Sequence, residues 1–107
     1  MNYYSTRDLE RKTPKTSGSC GNECLYDYYH NNDNLNIHDG TMTDFTDSNK
    51  APWVDQMSNI TKITIEGTSN IGNNAFKGAT KITTISLPDS VTSIGSNAFN
   101  GCTGLQT

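Results

Sequence analysis

The sequence predicts a repeat solenoid: short parallel β-strands joined by short helical turns, stacked behind an N-terminal cap that contains a β-hairpin. Residues 64–82, TIEGTSNIGNNAFKGATKI, read as a worn copy of residues 86–105, SLPDSVTSIGSNAFNGCTGL. Six positions match in type at a constant offset: Ile71 with Ile94, Ala75 with Ala98, Phe76 with Phe99, Gly78 with Gly101, Ala79 with Cys102 and Ile82 with Leu105 are each 23 residues apart. Upstream, Ile63 and Ile85, and Ile65 and Leu87, are 22 apart, so one residue is gained where EGTSN faces PDSVTS. Loops absorb such a change more readily than packed strands.

A period in this range with an L-x-x-L-x-L apolar pattern marks a leucine-rich repeat solenoid. ITKITI and ITTISL each form a strand whose alternate side chains, Ile63 and Ile65 in one and Ile85 and Leu87 in the other, point into the core. The chain then turns, sends Ile71 or Ile94 inward, and places Gly72 or Gly95 where the backbone needs freedom from a Cβ. NNAFKGA and SNAFNGC form short helical turns that insert a small and a large side chain before the next strand.

Ahead of the repeats the chain divides in two. Residues 1–19 are polar, contain Pro14 and Gly18, and lack an apolar period, which predicts a flexible leader. Residues 20–59 form the cap. Within it CLYDYY and NLNIHD alternate apolar and polar residues around the break HNNDN, the pattern of two strands joined as a hairpin. TMTDF extends the second strand or begins a turn; Pro52 ends regular pairing and Trp53 packs as a lid. Residues 60–107 hold two repeats, a number below the three or more that solenoids generally need, which predicts a truncated array. Leu105 falls where a next strand should begin, so the open end is expected to stack on further repeats or to self-associate.

Composition narrows the function. Only 32% of residues are apolar and 18% charged, and the net charge is −3. Disorder combines low hydrophobicity with high net charge, and the second condition is not met. Nucleic-acid binding rests on clustered cations, whereas Arg7, Arg11, Lys12 and Lys15 are interrupted by Asp8 and Glu10 and read as a solvated tail. No run approaches the ~20 apolar residues of a membrane helix, and the first residues lack the apolar core of a secretory signal.

The residues LPDSVTSIGSNAFNGCTGL closely resemble the BspA-like leucine-rich repeat, whose unit reads I-x-L-P-x-S-V-T-S-I-G-x-x-A-F-x-G-C-x-x-L. The first copy lacks counterparts of Pro88 and Val91. SGSCGNECLYDY, NLNIHDGTMTDF and APW are similar to the non-repeat segment that precedes the first unit in many members, so the resemblance spans residues 17–107. It implies a surface-displayed or secreted adhesion module that binds a protein or extracellular-matrix ligand, with no cofactor. The lack of a signal sequence leaves a cytoplasmic scaffold as the alternative. An accessory domain of a larger enzyme is a weaker one.

Candidate chemistry is sparse. Cys102 replaces Ala79 and reads as a small core residue. Cys20 and Cys24 in CGNEC are compatible with a local disulfide, with packed free thiols, or with zinc if His30 or His38 and one more donor joined them, although neither His has metal-ligand spacing. DGTMTD and NNDN lack the closing Glu of a calcium loop and read as turns. Asn59-Ile60-Thr61 is a glycosylation sequon whose plainer reading is a polar step into a strand. Two scattered His residues define no catalytic triad, and Asp44 and Asp47 fall in a loop with nothing to separate their pKa values. No enzyme is expected. The exposed strand positions Lys62, Thr64, Glu66, Thr84 and Ser86 remain as the candidate binding face.

Overall fold

The computed structural model describes residues 15–105. Its largest sheet contains β1 (Lys15–Ser19), β3 (Leu25–Tyr29), β4 (Asn34–His38), β6 (Lys62–Glu66) and β8 (Thr84–Ser86), side by side in that order. The first three are antiparallel neighbours, whereas β4, β6 and β8 run parallel. Two small ladders follow the coil: β2 (Gly21–Asn22) with β5 (Thr41–Met42), and β7 (Asn70–Ile71) with β9 (Ser93–Ile94). The described helix is a single 3-10 turn, Val54–Gln56.

The expected hairpin forms between β3 and β4 because its break tolerates a left-handed backbone. Asp33 has φ 58°, and its N–H donates to the Tyr29 carbonyl at 2.8 Å. Asp is among the few residues that enter this region at modest cost. The Tyr28 hydroxyl donates to the Asp33 carboxylate and fixes the turn against the strand. Alternation then buries Tyr26 and Tyr28 of β3 and Leu35 and Ile37 of β4.

Leu35 and Ile37 pair in register with Ile63 and Ile65, so the parallel ladder already begins at β4, ahead of the repeats expected from residue 60. The segment after β4 behaves as a first coil. Met42 N–H donates to Asn70 Oδ1, and Phe45 N–H donates to the Asn73 carbonyl. Its offset to the second coil is 28 residues along the strand, against 22 for the next step, and the longer loop hides the repeat. Gly72 explains the close stacking here, since a Cβ on it would lie 1.9 Å from the Thr43 carbonyl oxygen.

Trp53 is more than a lid. Its ring, 1% exposed, stacks on Phe76 at 5.6 Å, and Phe76 stacks on Phe99 at 5.5 Å. Phe45 and Tyr26 meet Trp53 edge-on, and its indole Nε1–H donates to the Ala75 carbonyl at 2.8 Å. The polar end of the only Trp is thereby satisfied inside the core.

Three expectations need correction. The leader does not extend to Ser19: residues 1–14 lie outside the described residues, but Lys15–Ser19 forms β1, paired along its length with β3. Backbone bonding and polar contacts hold it, so no apolar period advertises it. Gly18 sits over the Tyr26 ring, and Ser17 donates to the Asp27 carboxylate.

The segments expected as helical turns are chains of tight turns instead. In the second coil, the N–H groups of Ala75, Lys77 and Ala79 bond three residues back. Those of Asn74, Phe76 and Gly78 donate to the Ser96, Ala98 and Asn100 carbonyls of the next coil. A helix would direct every amide along its own axis, whereas stacking takes every second one.

The third correction concerns the last described coil. Leu87 and Ile94, expected inside, are 43% and 52% exposed, whereas their counterparts Ile65 and Ile71 are each 1% exposed. Each coil is covered by its successor, and no described coil follows this one.

Candidate protein-binding face

The register of the sheet assembles its outer face from the residues between the buried ones. One row runs across all five strands as Lys15, Tyr29, Asn34, Lys62 and Thr84. The next is Ser17, Asp27, Asn36, Thr64 and Ser86. A third crosses four strands as Ser19, Leu25, His38 and Glu66. Lys62, Glu66, Thr84 and Ser86 are exposed and Thr64 is half-buried. The candidate residues therefore form one side of a wider face.

Sequence reading missed the other half, contributed by β1, β3 and β4. The signal was available for β4: NLNIH alternates as KITIE does, and Leu35 and Ile37 superimpose on Ile63 and Ile65 once a 28-residue offset is allowed. For β1 there was none.

Charge is distributed unevenly on this face. Lys15 and Lys62 lie in the first row, with Lys15 Nζ 5.9 Å above the Tyr29 ring and 3.8 Å from Asp27. Toward the other end His38 sits between carboxylates, Nδ1 at 3.0 Å from Asp39 and Nε2 at 3.5 Å from Asp27. The Asp39 hydrogen bond, and then the charges of Asp27 and Asp39, raise the His38 pKa above its ordinary value against the opposing effect of burial. A shallow recess of about 340 Å3 opens here between Ser17, Leu25, Asp27 and His38.

Ser17, Asp27 and His38 do meet, but not as a catalytic triad. Ser17 donates to Asp27 rather than to the imidazole, so the Ser-to-His hydrogen bond of a triad is not made. His30 accepts or donates at Thr16 Oγ1, 2.8 Å away, and stands edge-on to Tyr28. Asp44 accepts the Asn73 N–H at 2.8 Å, a structural bond between coils, and Asp47 is exposed in the following loop.

The sulfurs of Cys20 and Cys24 are joined as a disulfide, with Cα atoms 5.0 Å apart and both residues buried. Cys102 is half-buried, donates to the Phe76 carbonyl at 3.2 Å, and has its thiol pKa pushed up by burial. Among the described residues no group of three or more His, Cys, Asp or Glu side chains is placed to hold a metal ion. No described helix is long and apolar enough to cross a membrane. Asn59 is exposed at the entry to β6, its amide donating to Gln56 Oε1 at 3.2 Å.

Parallel strands at a 22- to 28-residue step, with inward isoleucines and an aromatic column behind them, define a leucine-rich repeat protein. The family model for the BspA type leucine rich repeat region (6 copies) matches residues 54–107, and the chain belongs to that family. A leucine-rich repeat protein from Eubacterium ventriosum ATCC 27560, solved by crystallography, is similar in fold, with a TM-score of 0.78 and 25% identity. That likeness covers 88% of this chain and 25% of that one, so the chain spans about a quarter of its relative. No curated protein matches the sequence. Family and fold together support a repeat protein-interaction module.

Proposed function

We propose that the chain is a non-catalytic adhesion module, surface-displayed or secreted, whose outer sheet face binds a protein or extracellular-matrix ligand. The observation that carries this reading is the continuous polar face across five strands, rich in Asn, Ser and Thr. Rigid neighbouring strands preorganise such side chains and reduce the ordering cost of binding. The Cys20–Cys24 bond favours display or secretion over a cytoplasmic scaffold, because disulfides persist in oxidising compartments. Self-association through Leu87 and Ile94 belongs to the same proposal.

The test is capture of cell-surface and matrix proteins by the full chain beside a variant with Asn36→Arg, Thr64→Arg and Ser86→Arg. These outward positions lie in one row, so large side chains there obstruct the face while leaving the core untouched. Specific ligands should be retained by the native face and lost by the variant at unchanged thermal stability. Equal retention by both removes this face as the binding surface.

A further inference from the structure

We infer that a recess beside the 3-10 turn is a second binding site, which takes the C-terminal residue of a polypeptide: one apolar side chain on its floor and the terminal carboxylate at Lys50 and Lys77. None of its lining residues lies on a strand, so the site is separate from the sheet face. Its origin is a mismatch between the first coil and the second. The Phe45 N–H donates to the Asn73 carbonyl, as a regular coil would, and its own carbonyl accepts from the Asn74 side-chain Nδ2. The chain then closes on itself, with Thr46 N–H donating to Asn49 and Asn49 N–H donating back to Thr46. Of the alternate amides that would stack after Phe45, that of Asn49 is used inside the loop, and a recess lined by this loop, Lys77 and Gly78 lies here.

The gap is about 300 Å3. Phe45 and Ala51, nearly buried, make its floor, and Val54, 39% exposed, walls it beside half-buried Met57. Lys50 and Lys77 are exposed on the rim. Among the described residues the ion pairs are those of Lys15 and His38, so no described carboxylate engages either lysine. Asp47 also lines the recess and leaves a rim of one net positive charge. An apolar floor under two cations complements an apolar group that carries an anion. The volume is at the small end for ligand sites, which run from about 300 to 1,000 Å3, and suits one side chain with its carboxylate. A chain terminus presents both on adjacent atoms, and a protein-binding module meets polypeptides first.

The experiment is a nuclear magnetic resonance titration of the isotope-labelled full chain with acetyl-Gly-Gly-Leu, with the same peptide as its C-terminal amide, and with hexanoate. The acid peptide should shift the amides of Lys50, Val54, Lys77 and Gly78 saturably. The amide should bind about tenfold more weakly, the effect of losing a charge-assisted hydrogen bond. Lys77→Gln and Lys50→Gln should each weaken the acid peptide about threefold to tenfold at the exposed rim. Asp47→Asn should tighten it, and Val54→Asp should abolish it with the remaining spectrum unchanged. Equal binding of acid and amide, shifts located elsewhere, or no saturable shift up to about 10 mM would overturn the site. Hexanoate binding without the peptide would overturn the polypeptide source. Arginine substitutions on the sheet face should leave this titration unaltered, which separates the two sites.

Discussion

Trp53 precedes Phe76 by the same 23 residues that separate Phe76 from Phe99, and their rings form one column. That spacing was readable, but CGNEC, the hairpin and the Thr46–Asn49 loop occupy the place of a regular preceding coil, and no neighbouring position repeats with Trp53. Trp53→Phe keeps a ring in the column but leaves the Ala75 carbonyl without its donor and the pocket underfilled. The expected cost is about 1–3 kcal/mol, against about 3–5 kcal/mol for Trp53→Ala. Urea unfolding followed by far-ultraviolet circular dichroism measures both; equal losses would mean that ring stacking contributes nothing. His38 gives a second expectation at this scale. Asp27 on β3, Asp39 and the cross-strand Glu66 on β6 surround it, with Lys15 of β1 held at Asp27. Its pKa is raised in the fold, so its stabilisation is fully present below the unfolded value near 6.5 and is lost as pH rises through the folded value. Relative to His38→Gln, the native chain should gain stability at about pH 5.5 and lose that advantage by about pH 8. A difference that grew with pH would contradict this charge arrangement.

Among the elements, β6 and β8 were legible because isoleucine alternation and the second copy agreed, and the β3–β4 hairpin was legible from alternation around a polar break. β1 was not, because KTSGS carries neither β-branched bulk beyond Thr16 nor an apolar face. Its order depends on the β3 ladder and on the turn that joins them, where the Cys20 N–H donates to the Cys24 carbonyl at 2.8 Å. The disulfide staples that turn. Closing so short a loop restricts the unfolded chain by about 2 kcal/mol on an entropic account. Cys20→Ala with Cys24→Ala should therefore lower stability by up to about that amount. Hydrogen exchange should report faster exchange along β1 and β2, while the amides of β4 and β6 stay protected by the isoleucine core. Uniform acceleration through the sheet would show instead that β1 and the repeats unfold as one unit.

At the scale of the whole molecule, stacking sets what one coil leaves for the next. The second coil buries Ile65, Ile71, Phe76, Ala79 and Ile82 beneath the last, while the last leaves Leu87 and Ile94 exposed and Ile85, Val91, Phe99, Cys102 and Leu105 only partly covered. The sequence placed these side chains in the correct columns; their exposure is a property of the neighbour, which no local pattern encodes. A recess of about 340 Å3 lined by Leu87, Pro88, Val91 and Ile94 completes this surface. An apolar surface with the period of the repeat is matched best by another coil of that repeat, and in a solution of this chain alone a second copy can supply one. Light scattering coupled to size-exclusion chromatography should show concentration-dependent association of the 107-residue chain, reduced by Leu87→Asp with Ile94→Asp. Both substitutions fall on exposed side chains, so thermal stability should change little while association falls. A monomer at every concentration would mean that the last coil is tolerated bare, and that self-association takes no part in how this solenoid works. Association unaffected by the double variant would instead place the contact elsewhere, with the edges of β1 and β8 as the surfaces then to test.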